Sequence, residues 1–344
     1  MTFKTDLMEQ KTFDPDGVGV DNGTYFGLPF EPETAELVIV SAPWDVTVSY
    51  GAGTAYAPDA IIEASTQLDF HEPLAPGAWR RGIATADVDY SLLDESQRLR
   101  GDAAKVIDHL EGGGSPEDDY VVRKICRVNE GCAAMNANIG AQAARWLDAG
   151  KLVGLVGGDH STPYGLIRAL GERHAEFGIL HIDAHCDLRD AYEGFEFSHA
   201  SIMFNVLRDV PAVTKIAQVA VRDFSEREAA LAASSGRVVL FDDLSLAAPG
   251  VPRRNVGCAV SAYRRDASAG GLREFRHRRT LLRELSPHGD SRRGRTGFQP
   301  SRLAAGHPRA FGPPHRRVRR GGGHSGPRGA DRRHNGRTGI VEVV

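Results

Sequence analysis

Residues 152–187 read LVGLVGGDHSTPYGLIRALGERHAEFGILHIDAHCD, and this stretch decides the fold. It opens on an apolar run, LVGLV (152–156), and breaks at Gly157-Gly158. A helical pattern follows from about Pro163, and the stretch closes on a second apolar run, FGILHI (177–182). Strand, turn, helix and strand in that order place the two strands parallel in one α/β unit. The same alternation extends outward. Further strands are expected at 36–42 (ELVIVSA), 216–221 (IAQVAV) and 238–241 (VVLF), and helices at about 131–147 and 226–233. In the first helix Ala133, Ile139, Ala143 and Trp146 recur at spacings compatible with one buried face. Residues 111–118 (EGGGSPED) read as a surface loop. The fold class is α/β with a mainly parallel sheet.

Both turns of the opening stretch carry chemistry. Gly157-Gly158-Asp159-His160-Ser161 follows the first strand, and His181-Ile182-Asp183-Ala184-His185-Cys186-Asp187 lies at the end of the second. Side chains leaving the carboxyl ends of parallel strands are where open α/β sheets hold ligands. In an extended chain, positions i, i+2 and i+4 point the same way, so Asp183, His185 and Asp187 can converge. Two carboxylates with imidazoles suit Mn²⁺, Fe²⁺, Ni²⁺ or Zn²⁺, and His160 from the neighbouring strand end can complete the set. Cys186 falls on the other side of that alternation and reads as a packing residue. His199, in FSHAS (197–201), follows closely enough to serve as a proton shuttle near neutral pH.

GGDHS, DAHCD and the histidine of SHAS resemble, in order and spacing, the motifs of the ureohydrolase family of arginase, agmatinase and relatives; the likeness runs from about residue 36 to 245. The resemblance implies a three-layer α/β/α domain, two Mn²⁺ ions (Ni²⁺ or another divalent ion is an alternative), and a metal-bridging hydroxide that attacks a guanidinium carbon to give urea and an amine. By the same resemblance His160 and Asp187 ligate the first ion, Asp183 bridges, His185 ligates the second, and His199 relays protons to the leaving amine. A small guanidino compound is the implied substrate, and trimers or hexamers are the implied assembly. Agmatine, arginine, guanidinobutyrate, other guanidino acids, formiminoglutamate and guanidine all fit that chemistry. Family members also carry a later SFDxDxxDP segment, whose aspartates supply a second bridge and a further ligand, and then TGTPxxGG. Neither occurs in residues 246–344, and Asp87-Val88-Asp89 lies upstream of both motifs and cannot take that place.

The chain's 344 residues are 41% hydrophobic and 25% charged, enough to bury a core in one large α/β domain or two small ones. No apolar run reaches the roughly 18 residues of a membrane span. The first residues, MTFKTDLMEQ, lack a basic-then-apolar leader, so the cytosol is the expected compartment. Cys126, Cys132, Cys186 and Cys258 form no CxxC pair and are read as reduced thiols. The net charge of −3 conceals two unlike parts. Residues 251–344 hold 22 Arg, no Lys and six acids, a net of +16, against 20 basic and 39 acidic residues before them, a net of −19.

Beyond about residue 248 no period of 2 or 3.6 remains, and the chain becomes rich in Arg, Gly, Pro and His. Back-translation accounts for the change. EFRHRRTL (274–281) can be written GAG TTT CGA CAT CGA CGG ACT CTT, which one nucleotide later reads Ser-Phe-Asp-Ile-Asp-Gly-Leu. The same shift turns 269–274 into Gln-Glu-Val-Tyr-Val and 287–296 into Pro-Thr-Gly-Thr-Pro-Val-Ala-Gly-Gly. It also turns the stretch ending at His324 into Ile-Val-Gly-Phe-Asp-Val-Val-Glu-Val. A frame slip near residues 249–254 is therefore expected. It divides the chain into an N-terminal extension (1–30), an incomplete metal-binding domain (31–248), and an out-of-frame, disordered tail (249–344).

Without the later aspartates the two-metal site is expected not to assemble at ordinary metal concentrations, and the chain to be poorly soluble with little or no hydrolysis. Two other readings carry less. A dinuclear metallophosphatase calls for a GNH-type segment and another motif order. A nucleic-acid-binding protein would use the basic tail, but that tail offers few stacking rings, with Tyr263, Phe275, Phe298 and Phe311 its only aromatic residues. The remaining alternative is an inactive remnant of the enzyme.

Overall fold

The strand β1 (Leu37–Ala42) shows how the layers form. Side chains along a strand alternate between its faces, and here both faces are buried, so helices cover each side. Val38, Val40 and Ala42 pack with Leu99, Ala103, Val106, Val128, Met135 and Ile139, which come from α2 (Tyr90–Glu111) and α3 (Asp119–Asp148). On the other face Ile39 meets Tyr25 and Ile62, the latter from α1 (Ala57–Ser65). The result is a three-layer α/β/α arrangement around parallel strands. This is a computed structural model; it describes residues 13–247 and the backbone of a last strand at 340–343.

Two parallel sheets carry the fold. In the first, β1 lies between β2 (Ile83–Thr85) and β3 (Leu152–Gly157), with Leu37 opposite both Ile83 and Leu152. The second runs in the order β6 (Val238–Asp242), β5 (Val213–Val221), β4 (Phe177–Ile182), β7 (Ile340–Val343). The helix α4 (Tyr164–Gly171) crosses from β3 to β4, α5 (Ile202–Asp209) and α6 (Glu226–Ser234) follow on the second sheet, and α7 (Asp243–Ala247) comes last. Val153 and Leu155 of β3 pack against the core clusters of both sheets, so the two share one interior. The helices α3 and α4 approach closely where Gly165 faces the Asn136 carbonyl; a Cβ there would lie 2.3 Å from that oxygen.

The expected strands and helices are all present, most with shifted ends and β4 with the ends expected. The largest difference is α3, which begins at Asp119 and not near 131. Its first turns extend the buried stripe backward through Val121 and Val128. Gly131, read as a helix start, is an interior position where a Cβ would meet Leu99 Cδ1 at 2.2 Å. The helices α1, α2, α5 and α7 and the short strand β2 were not expected. In α2 the apolar residues are diluted by charge, although Leu92, Leu99, Ala103, Val106 and Ile107 make one buried stripe. The strand β7, Ile-Val-Glu-Val, pairs from Gly178↔Ile340 to His181↔Val343. It lies within the stretch that showed no periodic pattern, being too short for a period to register. The rest of the tail, with the frame-slip segments at 269–324, and residues 1–12 of the N-terminal extension lie outside the described residues. Among the described residues no helix is long and apolar enough to cross a membrane.

Candidate metal centre

The chain leaving β3 stays joined to the chain leaving β1. Gly158 N–H donates to the Ala42 carbonyl at 3.0 Å and Asp159 N–H to the Trp44 carbonyl at 2.8 Å. This close approach requires glycine, because a Cβ at 158 would lie 1.8 Å from the Trp44 oxygen. Asp159 is buried, and its Oδ1 accepts from Ser161 N–H at 2.9 Å and from the Ser161 hydroxyl at 2.5 Å. That turn fixes His160 between them. Burial holds the Asp159 carboxyl above the usual carboxylate range.

At the end of β4, Asp183 N–H donates to the Val219 carbonyl at 3.1 Å, and Asp183 Oδ1 accepts from His185 N–H at 2.8 Å. The chain then reaches Asp187 in the left-handed region, at φ 51°. Such a backbone persists in a non-glycine residue only when its surroundings hold it. Here the Asp187 carbonyl accepts from Met203 and Phe204 N–H at 3.0 and 3.2 Å, at the start of α5. The next residue, Leu188, donates its N–H at 3.1 Å to Glu228, the carboxylate that also closes the capping box of α6 with Ser225.

These two loops bring His160, His181, Asp183 and Asp187 together, with one ligand atom of each lying within 4.8 Å of the others. His160 Nδ1 lies 2.5 Å from Asp187 Oδ2 and 3.7 Å from Asp183 Oδ2, and His181 Nε2 lies 3.6 Å from Asp183 Oδ2. The rings of His160 and His181 stack at 5.0 Å. Burial alone would lower the His160 pKa, but Asp187 and Asp183 outweigh it and the pKa stands above its ordinary value. Burial likewise works to raise Asp183, yet His181, the His185 N–H and the charge of His160 together hold it below the usual range.

Of the residues singled out in the sequence, His160, Asp183 and Asp187 lie in this cluster. His185 lies beside it: its Nδ1 is 3.3 Å from Asp183 Oδ1, its side chain is 58% exposed, and it is not one of the four. The chain turns at Asp183 Oδ1 and does not stay extended, so the alternation that aligned 183, 185 and 187 ends there. The same alternation run backward along β4 reaches His181, the first residue of the second segment, to which the sequence assigns no role. His199 is not one of the four, and its backbone is tied to the turn that carries His160. Its N–H donates to Thr47 Oγ1 at 3.2 Å, and that hydroxyl lies 3.4 Å from Asp159 Oδ2. Tyr192 stands edge-on to the His199 ring at 6.2 Å. Cys186 is fully buried, and burial pushes its thiol up to about 12, as suits a packing residue.

The donor set fits a divalent ion. The carboxylates of Asp183 and Asp187 converge with the Nδ1 atom of His160, a mixed oxygen and nitrogen set of the kind that holds such ions.

The sequence model of the Arginase family matches residues 35–251. The chain belongs to the arginase family. The N(1)-aminopropylagmatine ureohydrolase of Thermus thermophilus is 29% identical over 221 residues, covering 64% of this chain and 62% of that protein. The agmatinase of Bacillus anthracis is 28% identical over 169 residues, covering 49% and 46%. The chain thus spans at most 62% of the length of these curated relatives. The solved structure of proclavaminate amidinohydrolase from Streptomyces clavuligerus aligns with a TM-score of 0.50 at 20% identity, over 72% of this chain and 71% of that one, which shows a shared fold. The arginase-family match ends at residue 251, beside the point where the charge composition of the chain changes.

Proposed function

We propose that residues 31–248 carry the metal-binding half of an amidinohydrolase, a cytosolic enzyme that hydrolyses a small guanidino compound to urea and an amine. The observation that carries this reading is the cluster of His160, Asp183 and Asp187 at the carboxyl ends of β3 and β4, in a chain of the arginase family. Manganese suits the mixed carboxylate and imidazole donors. When bound, such ions supply a positive charge that brings the pKa of water toward neutrality.

In this reading His160 and Asp187 hold the first ion. Asp183 faces both this pair and His185, as a bridging carboxylate would, since its Oδ2 points to His160 and its Oδ1 to His185. His199 carries protons to the leaving amine, with its backbone fixed by Thr47. The second ion's remaining donors belong to the absent SFDxDxxDP segment, so the chain as written holds one ion and turns over little. A frame slip near residues 249–254 accounts for that absence, and the end of the family match at 251 supports it. Trimeric or hexameric assembly belongs to the intact family domain.

The experiment is to resequence the gene across this junction and express the frame-restored chain with Mn²⁺ and a panel of guanidino compounds. Urea release by the restored chain, and little by the present one, is the expected result. No hydrolysis of any guanidino compound by the restored chain would refute the functional reading.

A further inference from the structure

Gln218 of β5 is fully buried, and its side-chain amide faces two groups at once. Its Nε2 donates to the Cys186 carbonyl at 2.6 Å and lies 3.0 Å from His181 Nδ1. An amide nitrogen has two hydrogens and no lone pair to offer, so the atom it faces must accept. Reversing the amide would set its oxygen 2.6 Å from the Cys186 carbonyl, two acceptors face to face. The orientation is therefore fixed, at the expense of leaving Gln218 Oε1 buried without a partner among the described residues. With Nδ1 accepting, the neutral His181 ring carries its proton on Nε2. That nitrogen has no hydrogen-bond partner among the described residues and lies 3.6 Å from Asp183 Oδ2, so a small shift of the carboxylate brings the two within hydrogen-bond distance.

We propose that His181 is a positioning residue, a donor that orients the Asp183 carboxylate and not a ligand of the ion, and that Gln218 sets its tautomer. A protonated ring nitrogen has no lone pair for a metal, so closeness to the other three groups does not make His181 a ligand. Gln218 also holds the carbonyl of Cys186, the residue before Asp187. One buried amide thus fixes the donor to Asp183 and the loop that presents Asp187. A hydrogen bond behind a ligating carboxylate sets its orientation and tunes its affinity. The proposed role rests on Asp183 holding the ion, as argued above; the tautomer does not.

The test uses the full metal-free chain labelled with ¹⁵N-histidine, with long-range ¹H–¹⁵N correlations assigned by the His181→Gln variant. The expected spectrum shows a protonated Nε2 and a bare Nδ1 at His181; a bare Nε2 overturns the proposal. Gln218→Glu, measured above the pH at which the introduced carboxyl ionises, places a carboxylate that can only accept, so His181 should switch to the Nδ1–H form. Mn²⁺ affinity, read from the free-ion electron paramagnetic resonance signal, should then fall about 10- to 100-fold. His181→Ala should lose as much, and His181→Gln, whose amide can donate from the Nε2 position, should recover most of it. Affinity unchanged in His181→Ala, or lost equally in His181→Gln and His181→Ala, overturns the positioning role. If the wild-type chain binds no Mn²⁺, the metal reading of Asp183 fails and the positioning role with it, while the tautomer spectrum still decides the assignment of Gln218.

Discussion

Replacing Gly158 by alanine should disturb the site without touching any of its ligands. The added Cβ would lie 1.8 Å from the Trp44 carbonyl oxygen, a backbone atom that cannot swing aside, whereas real contacts stay beyond 3.0 Å. The strand ends must part by at least about 1 Å, which breaks or stretches the hydrogen bonds from Gly158 to Ala42 and from Asp159 to Trp44. Two main-chain hydrogen bonds at about 1 kcal/mol each, with overpacking of about 1–3 kcal/mol, give a loss of about 3–5 kcal/mol. His160, two residues on, moves with the strand end, so Mn²⁺ affinity should fall at least about tenfold. Urea denaturation and Mn²⁺ titration read the two effects. Gly154→Ala is the control: it sits in the same strand, and its Cβ would make ordinary contacts of 3.5 and 3.7 Å with side chains of Ile39 and Leu37. It should change stability by less than about 1 kcal/mol. Wild-type stability and metal affinity in Gly158→Ala would refute the reasoning.

Elsewhere in the fold, the guanidinium of Arg237 donates to the main-chain carbonyls of Leu207, Val210 and Val213, at 2.6, 2.9 and 2.9 Å. A single ammonium cannot serve all three, so Arg237→Lys should cost about 2–3 kcal/mol in urea denaturation. Asp102 joins α2 to α3 through Lys124 at 2.5 Å and Arg127 at 2.9 Å, and Lys124, foremost, holds its carboxyl below the usual range. A depressed folded pKa adds stability above the unfolded value of about 4, and that stability is lost as pH falls through the folded value. The gap in unfolding free energy between wild type and Asp102→Asn should therefore narrow between about pH 5 and pH 2, as measured by denaturation at each pH. Among the described cysteines Cys126 is exposed while Cys132 and Cys186 are buried with raised thiol pKa values. Iodoacetamide at neutral pH should modify Cys126 and spare the other two, as read by peptide mass mapping.

The strands and the two turns that bear the site were legible because β3 and β4 are short apolar runs, one ended by glycine and the other by an acid. Residues 177–182 form β4 with the expected ends. The long helices were less legible, since α2 and the first half of α3 bury a single stripe and expose charge elsewhere. At Gly131 the sequence suggests a boundary where the structure needs space for Leu99. His160, Asp183 and Asp187 meet as the motifs imply. His185 lies beside the group and not in it, where Asp183 Oδ1 accepts its N–H, a local hydrogen bond that alternation along a strand cannot foresee. The place of His181 was implicit in that same alternation. Its tautomer was not, because it depends on Gln218 from β5, 37 residues later.

The stoichiometry of Mn²⁺ binding tests the central claim most directly. Equilibrium dialysis of the full metal-free chain should show one ion per chain, lost in His160→Ala and Asp187→Asn and retained in His199→Ala. Two ions per chain, or binding that survives the loss of Asp187, would contradict the account.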